Sequence, residues 1–84
     1  MIDLEEIIKK LNSIFRNVLN DDQINLKINT SNNELEKWDS LNHILLILEI
    51  EKKFSIKIAA GEIAELNSIS LICDMINEKI SGEV

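Results

Sequence analysis

Six residues in the middle of the chain, from Trp38 to His43, carry its strongest chemical signal; they read Trp-Asp-Ser-Leu-Asn-His. A long polar segment gives way here to a strongly apolar one, so Ser40 is expected at the exposed start of a helix. Unpaired backbone N–H groups and the helix dipole favour a phosphate at such a position. Alternatively, Ser40 simply caps the helix, because serine is among the best N-cap residues. Both interpretations predict that a helix begins here.

No other residues have the spacing of a catalytic or metal site. The chain has one histidine, His43, and one cysteine, Cys73, and it lacks both a metal-ligand motif and a glycine-rich phosphate loop. Cys73 falls in an apolar pattern and is predicted to be an inert buried thiol. Trp38 is expected to anchor a loop on the core, and His43 to lie partly buried near a pocket mouth. The sequence therefore predicts a protein that is not itself an enzyme.

The elements that position Ser40 follow from hydrophobic periodicity. Apolar residues recur every three or four positions from Leu4 to Leu19, which predicts a first helix. A second helix is predicted from Ser40 to Phe54, a brief one from Gly61 to Leu66, and a last one capped by Ser68. The fold class is therefore all-α: a small four-helix bundle with a long loop between helices one and two.

The start of the first helix and the long loop carry further expectations. Asp3 can cap the first helix, with Glu6 three residues later in a box-like arrangement. The loop from residue 20 to residue 39 is rich in Asn, Asp, Ser and Thr, and a loop of this length is usually functional or partly mobile. Three alternating apolar residues are expected to pin the loop to the core: Ile24, Leu26 and Ile28.

The second helix has two apolar stripes when it is drawn at about 100° per residue. The stripe expected to face the core contains Leu46, Ile47, Ile50 and Phe54. The opposite stripe contains Leu41, Leu45 and Leu48. Either the helix is central and packed on both sides, or the second stripe is a docking surface for partner proteins beside the serine.

Size and charge restrict the function classes. The 84 residues are expected to form one domain, residues 1–84, and 45% apolar content predicts a packed core. The formal charge of −6 disfavours nucleic acid and anionic membranes as partners. The longest apolar run, Ile44 to Leu48, is too short to span a bilayer, and the acidic start lacks the basic region of a signal peptide. A cytoplasmic monomer is expected.

Asp39-Ser40-Leu41 at the start of the second helix of a small acidic four-helix domain resembles the attachment site of acyl carrier proteins. The resemblance implies that 4'-phosphopantetheine is esterified to Ser40 and carries acyl or aminoacyl cargo as a thioester. It also implies partners: a phosphopantetheinyl transferase, and loading and acyl-transfer enzymes. The stretch from Lys37 to His43 looks more like stand-alone carriers of specialised pathways than like the housekeeping fatty-acid carrier. Partner recognition is expected at Asp39, Leu41, Leu45, Leu48, Glu49 and Glu51.

One departure from the family pattern lies on the second helix. Leu45, Lys52 and Lys53 stand where carboxylates are common in the family, so recognition is expected to depend more on the leucines. A rival hypothesis from another class is a small acidic helical adaptor that binds a protein through Leu41, Leu45 and Leu48 without a prosthetic group. Phosphopantetheine attachment distinguishes the two hypotheses, while the sequence identifies neither cargo nor pathway.

Overall fold

The computed structural model describes residues 3–81, and the predicted all-α architecture is confirmed. The helices, in chain order, are α1 (Leu4–Val18), α2 (Ser40–Phe54), α3 (Ala60–Ile63) and α4 (Ile69–Ser81). Within the described residues, β-type pairing is limited to one antiparallel bridge between Ser31 and Ser68. None of the helices in this part of the chain has the length and apolarity needed to cross a membrane.

The helix ends follow local capping chemistry, with one correction. Asp39 caps α2, and its carboxylate accepts the backbone N–H of Asn42 at 2.9 Å. Ser68 caps α4 as predicted, because its hydroxyl accepts the backbone N–H of Leu71 at 3.3 Å. Asp3 occupies the N-cap position of α1 as predicted, but the expected side-chain cap was wrong, because the Asp3 side chain makes no capping hydrogen bond. The chain leaves α2 at Ser55 in the left-handed conformation, with φ at 55°.

The core forms where the apolar stripes of three helices meet. Its most deeply buried side chains are Ile7, Leu11 and Phe15 of α1, Leu46 and Ile50 of α2, and Ile69, Ile72, Cys73 and Ile76 of α4. This confirms the predicted inward faces of α1, α2 and α4. Ile8 and Phe54, also expected in the core, are only partly buried at its edge. Phe54 is the last residue of α2, and the Lys10 side chain lies over its ring.

The long loop before α2 is fastened to α1 and α4. On α1, the Arg16 guanidinium donates to the Ile24 carbonyl at 2.7 Å, and the Asn12 side-chain oxygen accepts the Leu26 N–H at 2.7 Å. At the start of α4, the backbone N–H of Ile69 donates to the carbonyl of Thr30 at 2.8 Å. Ile24 and Leu26 are buried as predicted, but Ile28 was assigned to the core wrongly and is 42% exposed. These hydrogen bonds restrain the loop on α1 and α4 before the chain enters α2.

Candidate functional site

Ser40 is the first residue of α2, and its side chain is exposed to solvent. Asp39 occupies the N-cap position, so the capping role considered for Ser40 belongs to its neighbour. Within residues 3–81 the Ser40 hydroxyl makes no hydrogen bond, and neither do the backbone N–H groups of Ser40 and Leu41. A free hydroxyl is thus presented beside unpaired N–H groups at the positive end of a helix, a setting that suits a phosphate ester.

Asn42 connects the loop to the first turn of α2. Its backbone N–H is held by Asp39, and its side-chain amide donates to the carbonyl of Lys37 at 2.8 Å. The backbone on both sides of Ser40 is therefore restrained while the hydroxyl is left free. This role of Asn42 was not predicted from the sequence, although an amide three residues after a capping aspartate was a usable signal.

Trp38 and His43 form a hydrogen-bonded chain that links the loop, α2 and α3. The indole N–H of Trp38 donates to Nδ1 of His43 at 2.8 Å, and Nε2 of His43 lies 2.7 Å from the carbonyl oxygen of Ile63. Because the indole nitrogen can only donate, Nδ1 must accept, and the proton of the neutral ring must lie on Nε2, which donates to Ile63. Trp38 is 4% exposed, and its ring meets Phe15 edge-on with centroids 4.9 Å apart. Trp38 and His43 thus lie where the sequence predicted.

A cleft of about 530 Å³ opens beside Ser40, between α2 and α3. His43 and Ile44 line its α2 side, and Ala60, Ile63 and Ala64 line its α3 side. Two asparagine side chains, Asn32 and Asn67, add polar groups to this mainly apolar lining. An arm attached to Ser40 would therefore have both apolar surface and amide partners within reach.

The Ser40 region agrees with a family comparison. Residues 9–76 match the family model described as "Phosphopantetheine attachment site", which covers more than half of the chain. The chain belongs to this family. Among solved structures it is similar to a holo acyl carrier protein from Geobacter metallireducens, determined by solution NMR. The two are 37% identical, the match covers 90% of this chain and 87% of that chain, and the TM-score is 0.80. A search of curated proteins finds no match.

The family establishes the cofactor and the general role of this chain. Its cofactor is covalently attached phosphopantetheine, and its members are carriers rather than catalysts that work with a phosphopantetheinyl transferase and partner enzymes. The free hydroxyl of Ser40, the unpaired N–H groups around it and the neighbouring cleft fit such a group. The resemblance given by Asp39-Ser40-Leu41 is therefore confirmed at the level of the family.

The second stripe of α2 is open to solvent. Leu41 is 73% exposed, Leu45 43% and Leu48 48%. The helix α2 is therefore packed against the core on one face only. Ile44, which sequence analysis did not place in either stripe, is 45% exposed and extends the same surface. We call Leu41, Ile44, Leu45 and Leu48 the leucine face. It begins beside Ser40 and continues along α2.

The carboxylates expected to recognise partners differ in their surroundings. Glu49 pairs with Lys52 at 3.5 Å on the surface. Glu51, one of the expected recognition residues, is partly buried, and its carboxylate accepts the backbone N–H of Ile58 at 2.8 Å. On α3, the N–H of Ala59 and then the Lys79 ammonium hold the pKa of the Glu62 carboxyl below its usual range. Glu51 and Glu62 therefore hold the chain around α3 in place.

Cys73 belongs to the core rather than to the site. Its thiol is buried in α4, and burial, with a smaller effect of the neighbouring Asp74, raises its pKa to about 11. Such a thiol is a poor nucleophile at neutral pH, as the sequence predicted. No three His, Cys, Asp or Glu residues among those described are grouped so that they could hold a metal ion.

Replacing His43 with alanine should destabilise the region around Ser40 by about 1–3 kcal/mol, because it leaves the buried indole N–H of Trp38 without an acceptor. Urea unfolding measures the stability loss, and the NMR signal of the indole N–H reports the lost bond directly. Asn42→Ala removes a hydrogen bond on the exposed side of the same turn and should cost less. Equal losses in both variants would mean that the Trp38–His43 bond contributes no more than a surface contact.

Proposed function

We propose that this protein is an acyl or aminoacyl carrier that tethers intermediates as thioesters on a 4'-phosphopantetheine arm attached to Ser40. The exposed, unpaired hydroxyl of Ser40 at the first position of α2 supports this proposal most directly. Because Asp39 supplies the cap, esterification of Ser40 removes no hydrogen bond from the start of the helix. The site can therefore be modified without loss of the fold that presents it.

The restrained backbone around Ser40 gives the attachment point a defined position. Asp39 and Asn42 hold the first turn of α2, and the Trp38–His43 pair joins that turn to α3. When bound, the phosphopantetheine supplies a thiol that carries the cargo. Tethering raises the effective concentration of a metabolite at a docked enzyme to about 10⁻³ M, the value typical of short flexible linkers. Rigid attachment and a flexible arm together suit delivery to successive enzymes.

Intact-mass measurement after co-expression with a broad-specificity phosphopantetheinyl transferase tests the proposal. The protein should gain the mass of one phosphopantetheine, and fragmentation should place it on the peptide that contains Ser40. A carrier should then accept an acyl group on the new thiol. If no mass is gained while the purified domain is folded, the adaptor hypothesis takes the place of the carrier proposal.

The leucine face is proposed as the surface that partner enzymes contact. All four of its residues lie on α2, the helix that begins with Ser40, and all four are exposed in the isolated domain. Asp39 and Leu41 flank the serine for the transferase. Glu49 and Glu51 are proposed to contribute less, since Glu49 is paired with Lys52 and Glu51 binds its own chain. Any contribution of Glu49, which lies at the surface, should depend on the salt concentration.

Leu45→Gln and Leu48→Gln should each cost about 1 kcal/mol or less in stability, because nearly half of each side chain is already exposed. Each should nevertheless slow modification or acyl transfer roughly tenfold, since a few central apolar contacts dominate small interfaces. Thermal unfolding and modification kinetics of the same preparations measure the two effects. Leu71→Gln on α4 is the comparison, because that leucine is equally exposed but lies on another helix. Large destabilisation with normal kinetics would contradict the docking role.

We also propose that this protein is a cytoplasmic, monomeric, single-domain carrier, and that it serves lipid or secondary-metabolite biosynthesis of the specialised-pathway type. The lysines at positions 52 and 53 support separation from the fatty-acid carriers, whose recognition helix is richer in acid. Transfer assays with a fatty-acid synthase acyltransferase would test this part, and poor loading relative to a fatty-acid carrier is expected.

A further inference from the structure

A second depression, separate from the cleft beside Ser40, lies between α1 and α2. Leu45 and Leu48 line it from α2, and on α1 the apolar Ile14 and Val18 alternate with the polar Ser13 and Asn17. Its volume is about 820 Å³, and it is open to solvent. We call it the α1–α2 groove. It shares Leu45 and Leu48 with the leucine face, so that surface continues from the Ser40 end of α2 towards its C-terminal end.

The C-terminal end of the groove is basic. Lys52 and Lys53 line it in the last turn of α2, together with Glu49. Glu49 reaches only Lys52, at 3.5 Å, and the Lys52 side chain is 76% exposed, so this pair is weak and open to competition. Lys53 forms no ion pair within residues 3–81. Lys10 of α1 lies nearby, with its ammonium 5.6 Å from the ring centre of Phe54.

The positive charge at this end of the groove is opposite in sign to the net charge of the protein. The chain has a formal charge of −6, yet the side chains at this end of the groove carry a local positive excess beside exposed leucines. Lysines are favoured at any helix C-terminus because they complement the dipole, which accounts for their presence. Their position at the end of a groove that also exposes Leu45 and Leu48 still sets the charge of whatever can bind there. A basic segment would meet Lys52 and Lys53, whereas an acidic one would pair with them.

We propose that the α1–α2 groove binds an amphipathic helix of a partner protein, with aliphatic side chains on one face and carboxylates at the end that meets Lys52 and Lys53. The inference rests on the proposed carrier function, since it names the chemistry of one partner of the leucine face. Leu45 and Lys53 are eight residues apart on α2, about 12 Å at the helical rise, which matches about two turns of a bound helix. An apolar groove between two helices is a common site for such a segment.

A second copy of this chain is a poorer occupant. Two copies would each bring a charge of −6 to the interface, and this mutual repulsion opposes association. The leucine face of the second copy would also bring its own Lys52 and Lys53. An acidic helix, in contrast, gains both apolar contact and charge complementarity from the same groove, which favours specific pairing and fast encounter.

Titration with designed helical peptides tests the inference. The probe is a peptide of about 15 residues with leucines at positions i, i+3, i+4 and i+7 and glutamates beside them. Two comparison peptides carry glutamine or lysine in place of glutamate. Each is added to the full-length, unmodified protein and to its Ser40→Ala variant, and backbone NMR shifts give both the binding site and the Kd. The glutamate peptide should bind most tightly, with the largest shifts at Ile14, Val18, Leu45 and Leu48.

Charge reversal on the protein separates groove binding from general electrostatics. In the double variant Lys52→Glu, Lys53→Glu, the Kd of the glutamate peptide should rise by about tenfold or more, and the Kd of the lysine peptide should fall. Lys27→Glu, Lys57→Glu makes the same change in net charge at two exposed lysines outside the groove, and should alter Kd by about twofold or less. Binding by the Ser40→Ala variant should be unchanged, so the result does not depend on where phosphopantetheine is attached.

Three results would overturn the inference. The lysine peptide could bind the groove as tightly as the glutamate peptide, the two double variants could lose equal affinity, or the shifts could fall outside the α1–α2 groove. Sedimentation of the protein alone provides a further check. If the protein forms dimers as its concentration rises, and the backbone NMR shifts that accompany dimerisation fall at the groove, the occupant is a second copy and the inference is overturned. Failure of the carrier proposal is seen instead in the intact mass, so the two failures remain distinct.

Discussion

Replacing Ser40 with alanine is expected to abolish phosphopantetheine attachment while leaving the fold intact. The substitution removes the one oxygen on which the ester can form at the start of α2. It leaves the cap in place, because the Asp39 carboxylate and not the Ser40 hydroxyl accepts the N–H of Asn42. Alanine is also the best helix former, so the stability should stay within about 0.5 kcal/mol of the unsubstituted protein. Intact mass after co-expression with the transferase and thermal unfolding measure the two halves of this result.

Ser55→Ala is a suitable control for that experiment. Ser55 is an exposed serine directly after α2 and lines neither the cleft beside Ser40 nor the α1–α2 groove, so its replacement should leave both modification and fold unchanged. A Ser40→Ala protein that still gains one phosphopantetheine would move the site to another hydroxyl. A Ser40→Ala protein that unfolds would instead give Ser40 a structural role that its free hydroxyl does not suggest. Loss of the added mass in a folded variant is the outcome that supports attachment at Ser40.

The helices could be predicted from sequence because their signals are local. Periodic apolar residues and an aspartate–serine boundary predicted α2 from Ser40 to Phe54, and the structure gives the same bounds. Ser68 was recognised as the cap of α4 for the same reason, since a cap needs only the residues of one turn. The angular positions of Leu41, Leu45 and Leu48 predicted a second apolar stripe opposite the core stripe, and the structure shows which of the two alternatives left open by the sequence holds, because all three are exposed.

The errors concern features that local patterns do not determine. Alternation predicted that Ile24, Leu26 and Ile28 would all be buried, but the loop is held by Asn12 and Arg16 only up to Leu26. Beyond that point, nothing in the spacing shows where the chain turns, and Ile28 faces solvent. Capping propensity at the start of α1 likewise did not ensure that the Asp3 side chain turns toward the helix.

The site was predictable at its centre and less so around it. Asp39-Ser40-Leu41 identified the exposed hydroxyl at the start of α2, because a helix boundary and a hydroxyl are both visible in sequence. The acceptor of His43 is the main-chain carbonyl of Ile63, which leaves no mark in side-chain types. The bond from Glu51 to the Ile58 N–H spans seven residues and a turn, so a carboxylate that the sequence presents as a surface charge has a structural role.

Replacing Phe15 with alanine is expected to cause the largest loss of stability at any site considered. Phe15 is fully buried in α1, and its ring meets Trp38 at 88° with centroids 4.9 Å apart. Truncation of a buried phenylalanine costs about 3–5 kcal/mol, including the cavity that remains. A small domain has only about 5–15 kcal/mol of total stability, so a large share would be lost. Urea unfolding followed by the fluorescence of Trp38, the only tryptophan, measures the change directly.

Phe54→Ala provides the matched comparison, because the chain has only two phenylalanines. Phe54 is partly buried at the end of α2, where Lys10 lies over its ring, and less apolar area leaves water when it folds. Its truncation should therefore cost clearly less than that of Phe15, about 1–3 kcal/mol. Phe15→Ala should also shift the backbone NMR signal of Ser40 more than Phe54→Ala does. Phe15 supports Trp38, and Trp38 is hydrogen-bonded to His43 on the first turn of α2. A loss at Phe54 as large as that at Phe15 would place the end of α2 in the core, which its exposure does not indicate.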